Sequence, residues 1–295
     1  ARNKKSKHRL SPGEKRNRKR MATVATVYNI EGRKRTTQSI LNSKENQEKP
    51  PSPKNKRVWA SVKQTPEMVI RDAFCEALLR DPMKQNSWVG LVDGNPTQIR
   101  LLKKYAKKHS CKLTIILDLI HVIEYLWSAA HSFHSIGSKE AQDWVSEKLW
   151  GILEGKVSNV AAGIRRSATN RKLKGNKREQ VDKCANYLLK YKDYLRYDQY
   201  LSAGFPIATG VIEGACRYLV KDRMDITGAR WSLDGAEAIL RLRAIIASGD
   251  FESYWSFHLD CEYQRHHQNY YRYVPLMQGC LGSTCSKDQQ FSHLF

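Results

Sequence analysis

No run of apolar residues in this sequence approaches the ~18–20 that a membrane-crossing helix needs, and no signal-peptide pattern opens it. Neither an integral membrane protein nor a secreted one is expected. The seven cysteines (Cys75, Cys111, Cys184, Cys216, Cys261, Cys280 and Cys285) form no CxxC pair and no metal-ligand spacing. They read as reduced thiols, which excludes a disulfide framework and points to a cytoplasmic protein. Internal repeats are absent as well, so a solenoid is excluded. What is scarcest is negative charge: 29 Asp and Glu stand against 51 Lys and Arg, for a net charge of +22.

That excess is uneven. Residues 1–57 hold 18 basic and 4 acidic side chains, leaving +8 for all the rest. Such a field attracts polyanions, nucleic acid above all, through counterion release; a merely solvated basic arm is the bland alternative. The 295 residues, 41% hydrophobic and 27% charged, suffice for a sizeable core.

Along the chain, residues 1–20 are a basic arm. Residues 21–30 (MATVATVYNI) and 57–62 (RVWASV) read as short strands, separated by a polar, proline-containing excursion without core. Pro66 opens a helix. Residues 88–92 and 113–117 are apolar strands flanking a helix that Asn95 caps and Pro96 begins. This is a strand–helix–strand unit of the length a right-handed parallel crossover requires, with helices expected on both faces. Residues 122–205 stay helical in pattern and contain a basic stretch with Arg165, Arg166, Arg171 and Lys172. Helices are expected again over residues 211–220 and 232–247, before a poorly ordered tail at 273–295.

Asp93 and Asp118 end the two apolar strands, so their carboxylates should emerge at one carboxyl edge, where open α/β folds place their sites. Helix capping is the competing account, strong for Asp118 and weaker for Asp93. His121 lies on the first turn after Asp118, where it orients that acid or packs as a half-buried ring. Glu213 suits N3 of a helix capped by Gly210, and Arg217 and Lys221 follow at i+4 and i+8. That pattern fits an acid holding a metal ion beside a phosphate-gripping stripe, or a salt-bridged surface helix.

The blocks LVDGNPTQIRLLKKYAKKH, TIILDLIHVIEYLW, VSNVAAGIRRSAT, VDKCANYLLKYKDYLRYDQYL, GFPIATGVIEGACRYLVKDRMDITGARWSLDGAEAILRLRA and GDFESYWSFHL resemble insertion-sequence transposases of the Kra type. The likeness runs from about residue 10 to about residue 272. These proteins are similar to Mutator-like transposases and belong with the DDE enzymes. The resemblance implies an α/β fold: an RNase H-like mixed sheet with flanking helices, interrupted by an all-helical insertion. Residues 21–121 would be the first part of that core, 122–205 the insertion, and 206–272 the last part with the helix of the catalytic Glu.

It further implies that Asp93 is the second catalytic acid and Glu213 the third, both ligating metal. Asp118-Leu119-Ile120-His121 would be the signature following the fifth strand, with Asp118 a fallback acid. The implied cofactors are two Mg2+ (or Mn2+) ions, held by oxygen ligands and acting on phosphodiesters. The implied partner is double-stranded DNA, both element ends and target, contacted by Arg165, Arg166, Arg171, Lys172, Arg217 and Lys221. A homo-oligomer assembled on DNA, without membrane association, in a prokaryotic, nucleoid-associated setting completes the expectation. The family's first acid has no counterpart here, so the chain reads as an N-terminally truncated, inactive fragment. The alternatives are a non-catalytic DNA-binding remnant or regulator and, less well matched, another RNase H-like nuclease such as a junction resolvase.

Overall fold

The computed structural model describes residues 20–41, 51–226 and 229–268. Most of the basic arm and all of the tail lie outside them. The chain divides into two compact units at Gly249, and residues 206–272, expected as one piece, are shared between them. The first unit is mixed α/β and mostly helical. The second unit is described through α12 (Phe251–Tyr263), followed by a π-helical turn at Gln264–Gln268.

The strand–helix–strand unit forms as the sequence predicts. β3 (Trp88–Val92) pairs in parallel with β4 (Leu113–Leu117), in register from Trp88 with Leu113 to Val92 with Leu117. Between them runs α3 (Pro96–Lys108), capped by Asn95, whose side chain accepts from the backbone N–H of Thr97 at 2.9 Å. β1 (Thr23–Asn29) and β2 (Lys54–Ser61) form an antiparallel hairpin with an irregularity between Val27 and Asn29. A single mixed sheet was expected. The described strands instead form two separate two-stranded ladders, because no described strand bridges the hairpin and the parallel pair.

A second difference concerns the excursion between β1 and β2. Part of it is helical, α1 (Thr37–Leu41), and its Ile40 and Leu41 pack against the larger core. Five residues give too little periodicity to betray a helix that tertiary contact holds in place. α2 (Pro66–Arg80), capped by Thr65, leads into β3 through Asp81.

Residues 122–205, expected as an all-helical insertion, are mostly helical: α4 (Leu119–Phe133), α5 (Lys139–Leu153), α6 (Val157–Asn170), α7 (Gly175–Lys190), a 3-10 turn at Lys192–Tyr194 and α8 (Tyr197–Ser202). Leu126, Ala129, Ala130, Ile152, Ile164 and Leu188, all fully buried, make its interior continuous with β3 and β4. Small alanines let these helices approach closely, and the large side chains fill the gaps between them.

A smaller core joins the hairpin to the last helices. α9 (Gly210–Ala215) continues into a π-helical stretch (Cys216–Lys221) and a final turn, α10 (Asp222–Met224). With α11 (Leu233–Ser248), capped by Ser232, they bury Ala215, Leu219, Leu240 and Ala244 against Val58 and Ala60 of β2. The buried carboxylate of Glu237 on α11 accepts from the Ser61 hydroxyl at 2.8 Å and from the Val62 N–H at 3.0 Å, fastening the end of β2 to the helix.

Candidate nucleic-acid site

Asp93 and Asp118 do share one edge, since Asp118 donates its N–H to the Val92 carbonyl at 2.8 Å, one step past the paired strands. Their environments are opposite. Asp118 is 2% exposed. Its carboxylate caps α4 by accepting from the Ile120 N–H at 3.0 Å, and also accepts from the Thr209 N–H at 3.2 Å and the Thr209 hydroxyl. Asp93 is exposed, and its carboxylate accepts from the Asn95 N–H at 3.0 Å in a local turn.

The bonds to Thr209 decide where Glu213 sits. Leu119 donates to the Ile207 carbonyl at 2.9 Å, and Asp118 grips Thr209. The segment leading into α9 therefore hangs from the end of β4. Because the Thr209 hydroxyl is spent on Asp118, it does not cap α9, and the helix begins at Gly210 with Thr209, not Gly210, as its N-cap. Glu213 is exposed on that helix. Burial pushes the Cys216 thiol pKa up; the Lys221 charge opposes this, while Glu213 and Asp93 both add to it. Both carboxylates thus act on one thiol.

His121 bonds to Glu124 at 2.9 Å within its own helix and not to Asp118. The i,i+3 spacing places Glu124 beside the ring, while the Asp118 side chain is turned toward Thr209. The stripe of Glu213, Arg217 and Lys221 is also altered. The π-helical stretch starts at Cys216, so i+4 spacing no longer keeps these residues in line. Arg243 donates to the Tyr218 carbonyl at 2.9 Å, occupying a backbone acceptor within the stretch. Arg217 and Lys221 are both exposed, and Arg217 lies 3.8 Å from Asp222.

Beside Asp93 opens a cavity of about 310 Å³ lined by Gly94, Asn95, Tyr125, Asn186, Tyr187, Lys190 and Tyr191 as well. Tyr187 of α7 and Tyr191, the residue that ends that helix, reach across to the Asp93 turn. Tyr187 donates to the Asp93 carbonyl at 3.2 Å and Tyr191 to the Gly94 carbonyl at 2.5 Å. Gly94 has φ +94°, and a Cβ there would meet Leu117 at 3.2 Å and Tyr187 at 3.3 Å, so the turn requires glycine. Tyr125 stacks on Tyr187 with ring centroids 3.9 Å apart, and the Lys190 ammonium lies 4.9 Å from the Tyr191 ring centre. Burial, followed by Tyr125 and Asp93, raises the Tyr187 pKa, so its phenol stays protonated and able to donate.

Sequence reasoning did not find these tyrosines. Two tyrosines four residues apart, on a helix that also buries Cys184 and Leu188, were a usable signal: a buried hydroxyl needs an acceptor beyond its own helix.

The basic stretch is partly consumed by structure. Arg165 bonds at 2.5 Å to Asn186, a residue of the cavity wall, and lies 3.9 Å from Asp182, with which Arg178 pairs at 2.9 Å. Arg171 donates to the Phe133 carbonyl at 3.2 Å. Arg166, Lys172, Lys174 and Lys177 are exposed and make no ion pair among the described residues. Also among the described residues, no three His, Cys, Asp or Glu side chains are placed to hold one metal ion, and no helix is long and apolar enough to cross a membrane. Comparison with known protein families, curated proteins and solved structures gives no match for this chain.

Proposed function

We propose that this chain is part of a DNA transposase of the DDE class, similar to those of Kra-type insertion sequences, with an RNase H-like core and Asp93 and Glu213 as two of its catalytic acids. The observation that carries this reading is the shared edge. Asp93 leaves a buried parallel strand, and Glu213 rides on a helix tethered to the neighbouring strand through Asp118 and Thr209. Both acids are exposed, whereas the acid between them is consumed as a clamp. Asp118 is therefore assigned to holding the site together, and His121 to its rim.

The donor set tests the implied metals. Two exposed carboxylates suit one hard divalent ion, Mg2+ or Mn2+, in ligand type. They do not suit a pair, since no third carboxylate gathers with them among the described residues. When bound, such an ion supplies Lewis-acid polarisation of a phosphodiester. The chain's own groups bind and orient: Lys190 offers a cation at the Asp93 cavity, and Asn95 and Asn186 offer amides. Tyr187 and Tyr191 hold the Asp93 turn.

The second reading is a non-catalytic DNA-binding regulator, favoured by that same shortage of acids. One experiment separates the two and tests both: the chain is incubated with duplex DNA carrying the element's ends, with Mg2+ and then Mn2+. Both readings require binding that weakens by at least tenfold between about 50 and 200 mM salt, as several phosphate contacts dictate. Salt-independent binding sinks them together. Nicking, or Mn2+ binding by the chain alone, that disappears in both Asp93→Ala and Glu213→Ala selects the enzyme's lineage; DNA binding with neither selects the regulator.

A further inference from the structure

We infer that the cavity beside Asp93 receives one unpaired nucleobase of the DNA, stacked on Tyr125 and held at its edge by the amides of Asn95 and Asn186. This rests on the DNA reading above and names the part of the substrate that the cavity takes. Its volume of about 310 Å³ stands at the lower end of the ~300–1,000 Å³ usual for small-ligand sites, room for a single heterocycle rather than for a strand. Tyrosines, amides and one lysine make up most of its lining, the side chains that single-stranded nucleic acid sites employ.

The aromatic wall is built in advance. α4 carries Tyr125 and α7 carries Tyr187, and the Ser128 hydroxyl donates to the Gln180 side-chain carbonyl at 3.1 Å, tying the two helices together. Tyr187 lies on Tyr125 at an interplanar angle of 13° and meets Tyr191 edge-on, with ring centroids 5.1 Å apart. Tyr187 and Tyr191 are buried and give their hydroxyl protons to the Asp93 turn, whereas Tyr125 is 37% exposed. One face of Tyr125 is taken by Tyr187. Among the described residues no other ring and no cation lies on the opposite face.

The amides face the same space. The Asn95 side-chain oxygen accepts from the Thr97 and Gln98 N–H groups, and that of Asn186 accepts from Arg165. Their NH2 groups are therefore what these residues have left to give, and the ring nitrogens and exocyclic oxygens of a base accept from them. Asp93 on the wall disfavours an anion inside the cavity but tolerates an uncharged base. Lys190 is exposed at the rim, where the phosphate of the same nucleotide can meet it. A base within a duplex is covered on both faces by its neighbours, so the one that stacks here has left its pair. Lying beside the acid assigned to the metal, it belongs to a nucleotide next to the bond to be cut.

The test uses the full chain and two fluorescein-labelled DNAs at one salt concentration: a fully paired duplex, and the same duplex with a single-nucleotide bulge. The parent should bind the bulged DNA about five- to hundredfold more tightly, the range that one base–aromatic stack provides. Tyr125→Leu keeps an apolar contact with Tyr187 but offers no π-face, and should erase the preference; Tyr125→Trp should keep it. Thermal melts check that both variants fold. A readout that needs no variant is ultraviolet cross-linking of the parent to 5-iodouracil placed at the bulge, which should attach at Tyr125 and be located by mass spectrometry. A parent that binds neither DNA overturns the DNA reading and this inference with it. A parent that binds both equally, or cross-links elsewhere on the chain, overturns the inference alone. If Tyr125→Leu loses binding of deoxyadenosine monophosphate but keeps the bulge preference, the cavity takes a free nucleotide and the assignment to DNA falls.

Discussion

The two cores of the first unit differ in depth, and each supports a different acid. Among the described residues the larger buries thirty beneath β3, β4 and the helices α4–α8, and the Asp93 turn is pinned to it by Tyr187 and Tyr191. The smaller buries six of the described residues, between the β1–β2 hairpin and the helices around α11, and its α9 presents Glu213. With fewer apolar contacts it is the part expected to open first. One half of the candidate site is thus rigidly built and the other suspended, with Asp118 and Thr209 as the polar link between them.

The sharpest way to break this comparison is to hollow out each core in turn. Leu126→Ala removes a fully buried side chain from the larger one and should cost about 3–5 kcal/mol in denaturant unfolding, lowering hydrogen-exchange protection throughout the first unit. Leu240→Ala, in the smaller core, should cost about 2–3 kcal/mol because its thinner surroundings collapse more readily. Exchange should then accelerate in residues 54–61 and 233–248 while β3 and β4 stay protected. Equal, global loss of protection in both variants would dissolve the distinction.

A smaller effect should come from the link. Asp118→Ala strands the Thr209 and Ile120 N–H groups and should cost about 1–3 kcal/mol. Exchange should quicken from Thr209 to Ala215 before it does in β4. The smallest effect concerns Asp81, where α2 turns into β3. Hydrogen bonds from the Trp88 indole and the Asn86 and Gln85 N–H groups lower its pKa from 3.8 to about 2. A depressed carboxyl pKa stabilises the fold above the unfolded value, near 4, and loses that contribution as pH falls toward 2. Asp81→Asn should accordingly unfold in less urea than the parent at pH 7, and the gap should close by about pH 2. A gap that does not change with pH would remove the ionised carboxylate from the explanation.

How much was legible follows from the range of the interactions involved. The β3–α3–β4 unit was readable because its signals are local: two apolar runs, an Asn cap and a proline at the first helical position. The common edge of Asp93 and Asp118 followed from it. The role of Asp118 was not readable, because its partner Thr209 lies 91 residues away. The tyrosine contacts to the Asp93 turn span 94 and 97 residues and were hidden for the same reason. The segment at 33–39 read as an excursion without core because its anchor, Gly204, lies far along the chain, just after α8. The π-helical stretch leaves no mark in composition, so the basic stripe after Glu213 looked regular.

That stretch has a further consequence, best seen as a matter of phase. Each residue of an α-helix turns the chain by about 100°, and a π-helical stretch absorbs one residue without advancing the helix by its full share. Leu219, locked in the smaller core, acts as the fixed tooth of a gear, and Glu213 lies upstream of it across the extra residue. Deleting Cys216 would shorten the stretch by one residue and turn Glu213 relative to its anchor by a fraction of the about 100° that a residue contributes in an α-helix. The acid's bearing is thereby set by the count of residues as much as by their chemistry, and a single-codon deletion can re-aim it without touching Glu213 itself.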